Sequence, residues 1–306
     1  MVMGGILNYQ TYYEETNDQR IKMNENNSNQ VISMYETEDV ETYFRPSKLP
    51  VLNNREYDHD FFRGYFSEDH KEASLPSSFL KSPEDVILNY FSILREAANP
   101  VKDKYAGCGT LGEAWLPYPK AYQFLSSDLK KSMTYEQFLD TFQNILHINL
   151  IKYKQIPVFD NTQNSIRYFV ELETIEGTEK GIGQFAYYYG FIDIIKENDL
   201  YKIAKLEYTG ENYLCAPYHG WWYDAESSVD IRYGYWCSLI KKRYPTRQDG
   251  YIKNIYFEGT DGKEYLIVFF QLTNDNDIEI AQYSKSEDGN WNLIKLNPED
   301  CIKDKK

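Results

Sequence analysis

The sharpest local pattern in the chain begins at Ser82. Ser82-Pro83-Glu84-Asp85 places a capping hydroxyl, a proline at the first helical position and two acids in the first turn. Val86, Ile87, Tyr90, Phe91 and Leu94 then recur at helical spacing, so a helix with one apolar face is predicted from here. Two shorter helices are predicted over Pro117 to Leu125 and Thr134 to Leu146, the latter opening on Thr134 with Gln137 three residues on, the spacing of a capping box. After Leu146 the period shortens toward two. Ile148 to Val158, Ile166 to Thr174, Gln184 to Ile195 and Tyr201 to Tyr208 read as strands separated by Asp160-Asn161, Glu176-Gly177 and Glu197-Asn198-Asp199. A second run, Tyr251 to Glu258, Glu264 to Thr273, Ile278 to Ser284 and Trp291 to Leu296, reads as a four-stranded meander that needs a cover for one face.

The remaining stretches lack sustained periodicity. Residues 1–81 contain the polar run Asn24 to Gln30, their acids outnumber their bases about two to one, and they are expected to form an acidic, partly flexible arm. Tyr57, Phe61, Phe62, Tyr65 and Phe66 form an aromatic cluster in that arm suited to docking on a domain. The first residues, Met1 to Leu7, are apolar without the basic flank and full apolar core of a secretory signal. They fit an ordinary N-terminus or the remnant of a signal or anchor. Residues 211–249 are a Trp-rich bridging segment, and 250–306 a small β domain with a charged tail.

Ser82 to Val86 opening one helix, Ala121 to Ser126 in a second, Tyr135 to Phe138 opening a third and a closing strand near Leu200 to Ile203 together resemble the NTF2-like superfamily over about residues 82–210. The resemblance is strongest to extracytoplasmic bacterial members, often attached to lipoproteins or membrane proteins. It implies an α+β fold in which three helices lie on a curved antiparallel sheet shaped as a cone around a cavity. It also implies that Trp115, Tyr118 and Tyr122 stand at the mouth of that cavity. The superfamily contains isomerases, dehydratases, polyketide cyclases, transport adaptors and catalytically silent domains, so it names a fold more sharply than a reaction.

Composition sharpens the partner more than the chemistry. Aromatic residues make up 16% of the 306, with 29 tyrosines against 16 phenylalanines and 5 tryptophans. Such rings suit half-wet sheet faces, clefts and interfaces, including faces that stack on sugars. A formal net charge of −14 argues against nucleic acid or an anionic membrane surface as the main partner. No run of apolar residues is long enough for a membrane-spanning helix.

No spacing names a reaction. Cys108, Cys215, Cys237 and Cys301 include no C-x-x-C pair, and one disulfide among Cys108, Cys215 and Cys237 is expected, with free buried thiols as the alternative. His59, His70, His147 and His219 fit no metal motif, and neither a metal nor a cofactor is called for. Gly107, Gly109 and Gly112 lack the lysine and hydroxyl of a phosphate loop. The densest cluster is Cys215 to Asp224, where His219, Trp221 and Trp222, with Trp236 beyond, serve either as cement between domains or as ligand contacts. For an enzyme in the implied cavity, Glu171, Glu173 or His147 would face a tyrosine among Tyr187, Tyr188 and Tyr189. Alternation lets only Tyr188, or only Tyr187 and Tyr189, point inward, and it places Glu171 and Glu173 on the outer face.

The expectation is therefore a non-catalytic, extracytoplasmic binding or interaction protein taking a protein, peptide or small envelope ligand through Trp115, Tyr118, Tyr188, His219, Trp221, Trp222 and Trp236. The alternatives are an isomerase-, dehydratase- or cyclase-type enzyme in the cavity, and an intracellular interaction or immunity protein whose acidic arm meets a basic partner.

Overall fold

The computed structural model describes residues 47–63, 74–97, 115–159, 164–177, 183–211 and 224–303. The chain divides after Lys48, and Leu49–Lys306 forms one compact unit of few helices and many antiparallel strands. A short helix α1 (His59–Arg63) leads to α2 (Pro83–Arg95), α3 (Pro117–Tyr122), α4 (Ser127–Ser132) and α5 (Tyr135–Asp140). A first sheet follows in the order β1 (Ile145–Ile156), β2 (Ile166–Gly177), β3 (Gly183–Glu197), β4 (Leu200–Gly210), every pair antiparallel.

The helix starts form as their sequences dictate. Ser82 accepts from the Asp85 amide at 3.0 Å, and Thr134 and Gln137 close a reciprocal capping box. The five apolar residues of α2 expected at helical spacing are all buried. Two helices are shorter than their periodicity predicts. Around Leu125 the backbone turns to the first sheet: the Ile203 amide donates to Phe124 O and the Ser126 amide to Ile203 O, each at 2.8 Å. That bridge ends α3, and Ser126 caps α4 instead, a helix the pattern does not announce. Asn144, with φ of 65°, breaks the last predicted helix, and β1 begins at Ile145.

One face of the first sheet packs on the helices around Tyr90, Phe91, Leu150, Tyr168, Val170 and Ile192. The segment before α1 belongs to the same core. Asn53, fully buried, donates to Phe91 O and Ile148 O and accepts from the Leu150 amide, tying α2 to β1 with one side chain. Tyr57 and Phe61 stack at 5.3 Å, and Phe62 is buried, so the described part of the expected aromatic patch docks on α2.

The second sheet has six strands rather than the four of the predicted meander. Its path is β10 (Trp291–Leu293), β9 (Asp277–Lys285), β8 (Glu264–Gln271), β7 (Ile252–Gly259), β5 (Ile240–Arg243), with β6 (Arg247–Asp249) also on β7. β5 and β6 come from the stretch read as a bridge, where a basic, exposed alternation gives little sign of a strand. The same stretch supplies a helix, α6 (Ala225–Val229), running on as a π-helix through Asp230–Trp236. Ala225, Val229 and Tyr233 cover Ile255, Phe257, Ile267 and Phe269, one face of the sheet. The other face meets the outer face of the first sheet, where Phe169, Tyr189 and Phe191 pack on Phe270, Leu272 and Ile278.

The disulfide expectation needs correction. Cys237 pairs with Cys301, a tail residue set aside in favour of Cys108 and Cys215. The tail returns because Gln282 gathers it: its Nε2 donates to Leu296 O at 3.1 Å and its Oε1 accepts from the Leu296 amide. That path brings the final helix, α7 (Asp300–Lys303), against the π-helix end, a contact invisible to loop composition. Cys108 and Cys215 lie outside the described residues. Replacing Cys301 by Ser is expected to lower stability by about 2–4 kcal/mol, the usual loss for a bridged loop, seen as an earlier denaturant midpoint; an unchanged midpoint in oxidised protein would rule the bridge out.

Candidate functional site

Between the helices and the first sheet lies a cavity of about 220 Å3. α2 contributes Tyr90, Phe91 and Leu94, the α4–α5 region Met133, Phe138, Thr141 and Phe142, and the sheet Ile148, Leu172, Thr174, Tyr188, Leu206 and Tyr208. The side chains from the strands share one face because each sits at an even position of its strand or pairs with one that does. Apolar carbon dominates the wall. Three of its hydroxyls are engaged: Thr141 donates to Phe138 O at 2.7 Å, Thr174 to Ala186 O at 3.2 Å and Tyr188 to Glu176 Oε1 at 2.6 Å. Burial, and then the bond to Glu176, push the Tyr188 hydroxyl up to about 12. Burial also raises Tyr90 and Tyr208, so all three phenols remain neutral donors at physiological pH.

Tyr208 lines the cavity while remaining 40% exposed, which puts it at the cavity's edge. It can lie there because Gly190 faces it across β3 and β4. A Cβ at 190 would overlap Glu207 O and stand 2.7 Å from Tyr208 Cδ1.

The opposite face of the first sheet carries a buried polar belt. Lys152 Nζ lies 2.8 Å from Glu171 Oε2 and donates to Gln271 O at 2.9 Å. The Thr273 amide donates to Glu171 Oε1 at 2.6 Å, so the second sheet completes the shell of this pair. Glu211 stands beside Glu171. Burial first, and then Glu171, raise its carboxyl to about 9 against the pull of Lys152, and it is protonated at neutral pH. Farther along, Tyr187 donates to Glu173 Oε2 at 2.6 Å, Asn149 Nδ2 to Glu173 Oε1 at 3.4 Å, and His147 Nε2 lies 2.9 Å from Asn149 Oδ1.

The sequence-predicted residues thus separate. Tyr188 lines the cavity, while Glu171, Glu173, His147, Tyr187 and Tyr189 lie on the outer face, so the candidate acids and imidazole do not meet the cavity tyrosine. Tyr118 is buried in the core against Phe142 rather than at a mouth, and Tyr122 donates to Met133 O. Trp115 is 37% exposed just before α3, and Trp236 is half-buried at the π-helix end. His219, Trp221 and Trp222, like the glycine loop at 107–112, lie outside the described residues. Met133, Thr141, Glu176 and Tyr208 went unnoticed in the pattern, although Glu176 lies two residues after Thr174 on the same strand face. Among the described residues no group of three His, Cys, Asp or Glu is placed to hold a metal ion, and no helix is long and apolar enough to cross a membrane.

Two outcomes follow from this geometry. Folding lifts Glu211 from 4.5 to about 9, so the folded chain keeps a proton that the unfolded chain releases. Its contribution is full below pH 4.5 and is lost as pH rises toward 9. Thermal melts of Glu211→Gln are therefore expected to fall less steeply over that window than those of the unsubstituted chain; parallel curves would contradict the assignment. Gly190→Ala is expected to cost about 2–3 kcal/mol in urea unfolding, because the methyl must displace backbone as well as the Tyr208 ring. A neutral substitution would mean the two strands do not approach as described.

No protein family matches this chain, and no curated protein matches it in sequence. Among solved structures, the chain is similar to an Ntf2-like protein involved in plasmid conjugation, with 11% identity over 69% of this chain and 100% of that one, at a TM-score of 0.23. Likeness at that level carries no argument about what this chain does.

Proposed function

We propose that the chain is a non-catalytic, extracytoplasmic binding protein of NTF2-like, cone-shaped architecture whose cavity takes a small, largely apolar ligand. The observation that carries this reading is the wall of the cavity: carbon-rich, with the Thr141, Thr174 and Tyr188 hydroxyls already bonded within the protein and no carboxylate or imidazole among its described lining residues. A cavity of about 150 Å3 is enough for benzene. At about 220 Å3 this one suits a substituted ring or a short acyl chain, with the neutral phenols offering one polar contact. The Cys237–Cys301 bridge supports an oxidising compartment. The order of helices and strands supports the NTF2-like architecture.

A second reading rests on one pair. Glu176 and Tyr188, bonded at 2.6 Å beside the cavity, are an acid and a phenol of the kind that isomerases and cyclases use on a carbonyl substrate. One set of variants separates the two. Binding of a small aromatic probe such as naphthol, followed by its fluorescence, is expected to weaken about tenfold or more in Leu206→Trp, which fills the cavity from its edge. Glu176→Gln is expected to leave binding within about threefold, since it removes a charge but no wall. Unchanged probe binding in Leu206→Trp would sink the cavity reading, and turnover of a carbonyl substrate that Glu176→Gln abolishes would favour the enzyme.

A further inference from the structure

A second concavity, of about 450 Å3, lies on the second sheet and shares no residue with the first. We propose that it is a saccharide-binding site, in which Trp291 and Tyr256 stack on a pyranose ring while Arg247 and Glu264 bond its hydroxyls. The proposal does not depend on what fills the other cavity.

The two rings form a tilted pair that leaves Trp291 partly open to solvent. Their centroids are 5.9 Å apart at an interplanar angle of 59°, an open V, and Trp291 keeps 36% of its surface exposed. The axial C–H face of a pyranose is flat and apolar, and it lies well on such faces. Its rim is a ring of hydroxyls that both donate and accept, so a site for it needs polar groups of both signs beside the aromatics. Arg247 supplies fixed donors with its guanidinium carbon 5.3 Å from the Tyr256 ring centre. Glu264 supplies the acceptor, held by Lys285 Nζ at 2.6 Å. Tyr244 completes the wall.

Other ligand classes fit less well. A quaternary ammonium would meet two cations already at these rings, the Arg247 guanidinium 5.3 Å from the Tyr256 centre and Lys285 Nζ 5.8 Å from the Trp291 centre, which repel a third. A densely charged polymer such as a nucleic acid meets a chain of net charge −14. Arg247, Tyr256, Glu264, Lys285 and Trp291 come from five different strands, so the sheet backbone sets their spacing. The turn before Trp291 is set by Gly289 at φ of 88° and by Asn290 Nδ2 donating to Asp288 at 2.9 Å.

The full chain should be titrated with a neutral oligosaccharide (chitotetraose or cellotetraose) and with an acidic one (tetragalacturonate), using saturation-transfer NMR and calorimetry. Transfer to the axial ring protons is expected. Trp291→Ala and Tyr256→Ala are each expected to weaken binding about tenfold or more, as truncation of a stacking anchor does. Glu264→Gln, which removes no wall and keeps the fold, is expected to weaken it severalfold and serves if the aromatic variants unfold. Arg247→Ala distinguishes the sources: an acidic sugar loses more affinity than a neutral one. Absence of transfer from every sugar, binding that Trp291→Ala and Glu264→Gln leave unchanged, or a proline-rich peptide that occupies these residues while no sugar competes, would overturn the proposal.

Discussion

A lysine and a glutamate face each other across β1 and β2 with their side chains almost wholly buried, and much of the remaining architecture follows from how they are satisfied. A buried ion pair is tolerable only when its leftover donors and acceptors find partners. Here Lys152 and Glu171 find them in Gln271 O and the Thr273 amide, both on the chain leaving β8. The second sheet is therefore more than an apolar cover. It supplies polar partners for the two charges that it removes from solvent. Phe169 against Phe270, at 4.4 Å between centroids, adds the apolar half of the same contact.

That arrangement gives the two faces of the first sheet different work. Residues Tyr168 through Thr174 of β2 are all buried, alternately toward the helices and toward the second sheet. Most of the titratable groups gather on the outward side, and around the cavity the inward side is apolar apart from phenols, threonines and Glu176, which accepts from Tyr188. Such a division sets the Lys152–Glu171 pair, Glu173 and His147 apart from the cavity and leaves Glu176 beside it. Of the catalytic candidates, Glu171 is engaged in joining the two sheets, whereas Glu173 and His147 bond to Tyr187 and Asn149 on the first sheet.

The chain's local grammar was legible where a signal was complete within a few residues. Ser82-Pro83-Glu84-Asp85 and Thr134 with Gln137 set helix starts, and alternation located eight strands and placed Tyr188 opposite Tyr187 and Tyr189. What could not be read depended on residues distant in sequence. α3 ends where Ile203 captures Phe124 and Ser126, about eighty positions downstream. β5 and β6 are exposed, basic and short, and become strands only because β7 offers them an edge. Cys301 looked like a residue of a solvated tail because nothing near it predicts that Gln282 brings the tail back. The cavity wall was half legible: Tyr188 and the α2 residues follow from periodicity, whereas Met133, Thr141 and Tyr208 converge only in three dimensions.

Gly190 carries a further consequence. The room in which the Tyr208 ring lies is made by the lack of a single methyl on the neighbouring strand, and the first atom such a methyl would strike belongs to the main chain. The aperture beside Tyr208 is thus written into the backbone spacing of β3 and β4, and lining side chains can drift without altering it. Relatives of this chain that diverge in what they hold would be expected to vary Leu206, Met133 or Thr141 while keeping position 190 bare, so that selectivity evolves as interchangeable upholstery on a fixed frame.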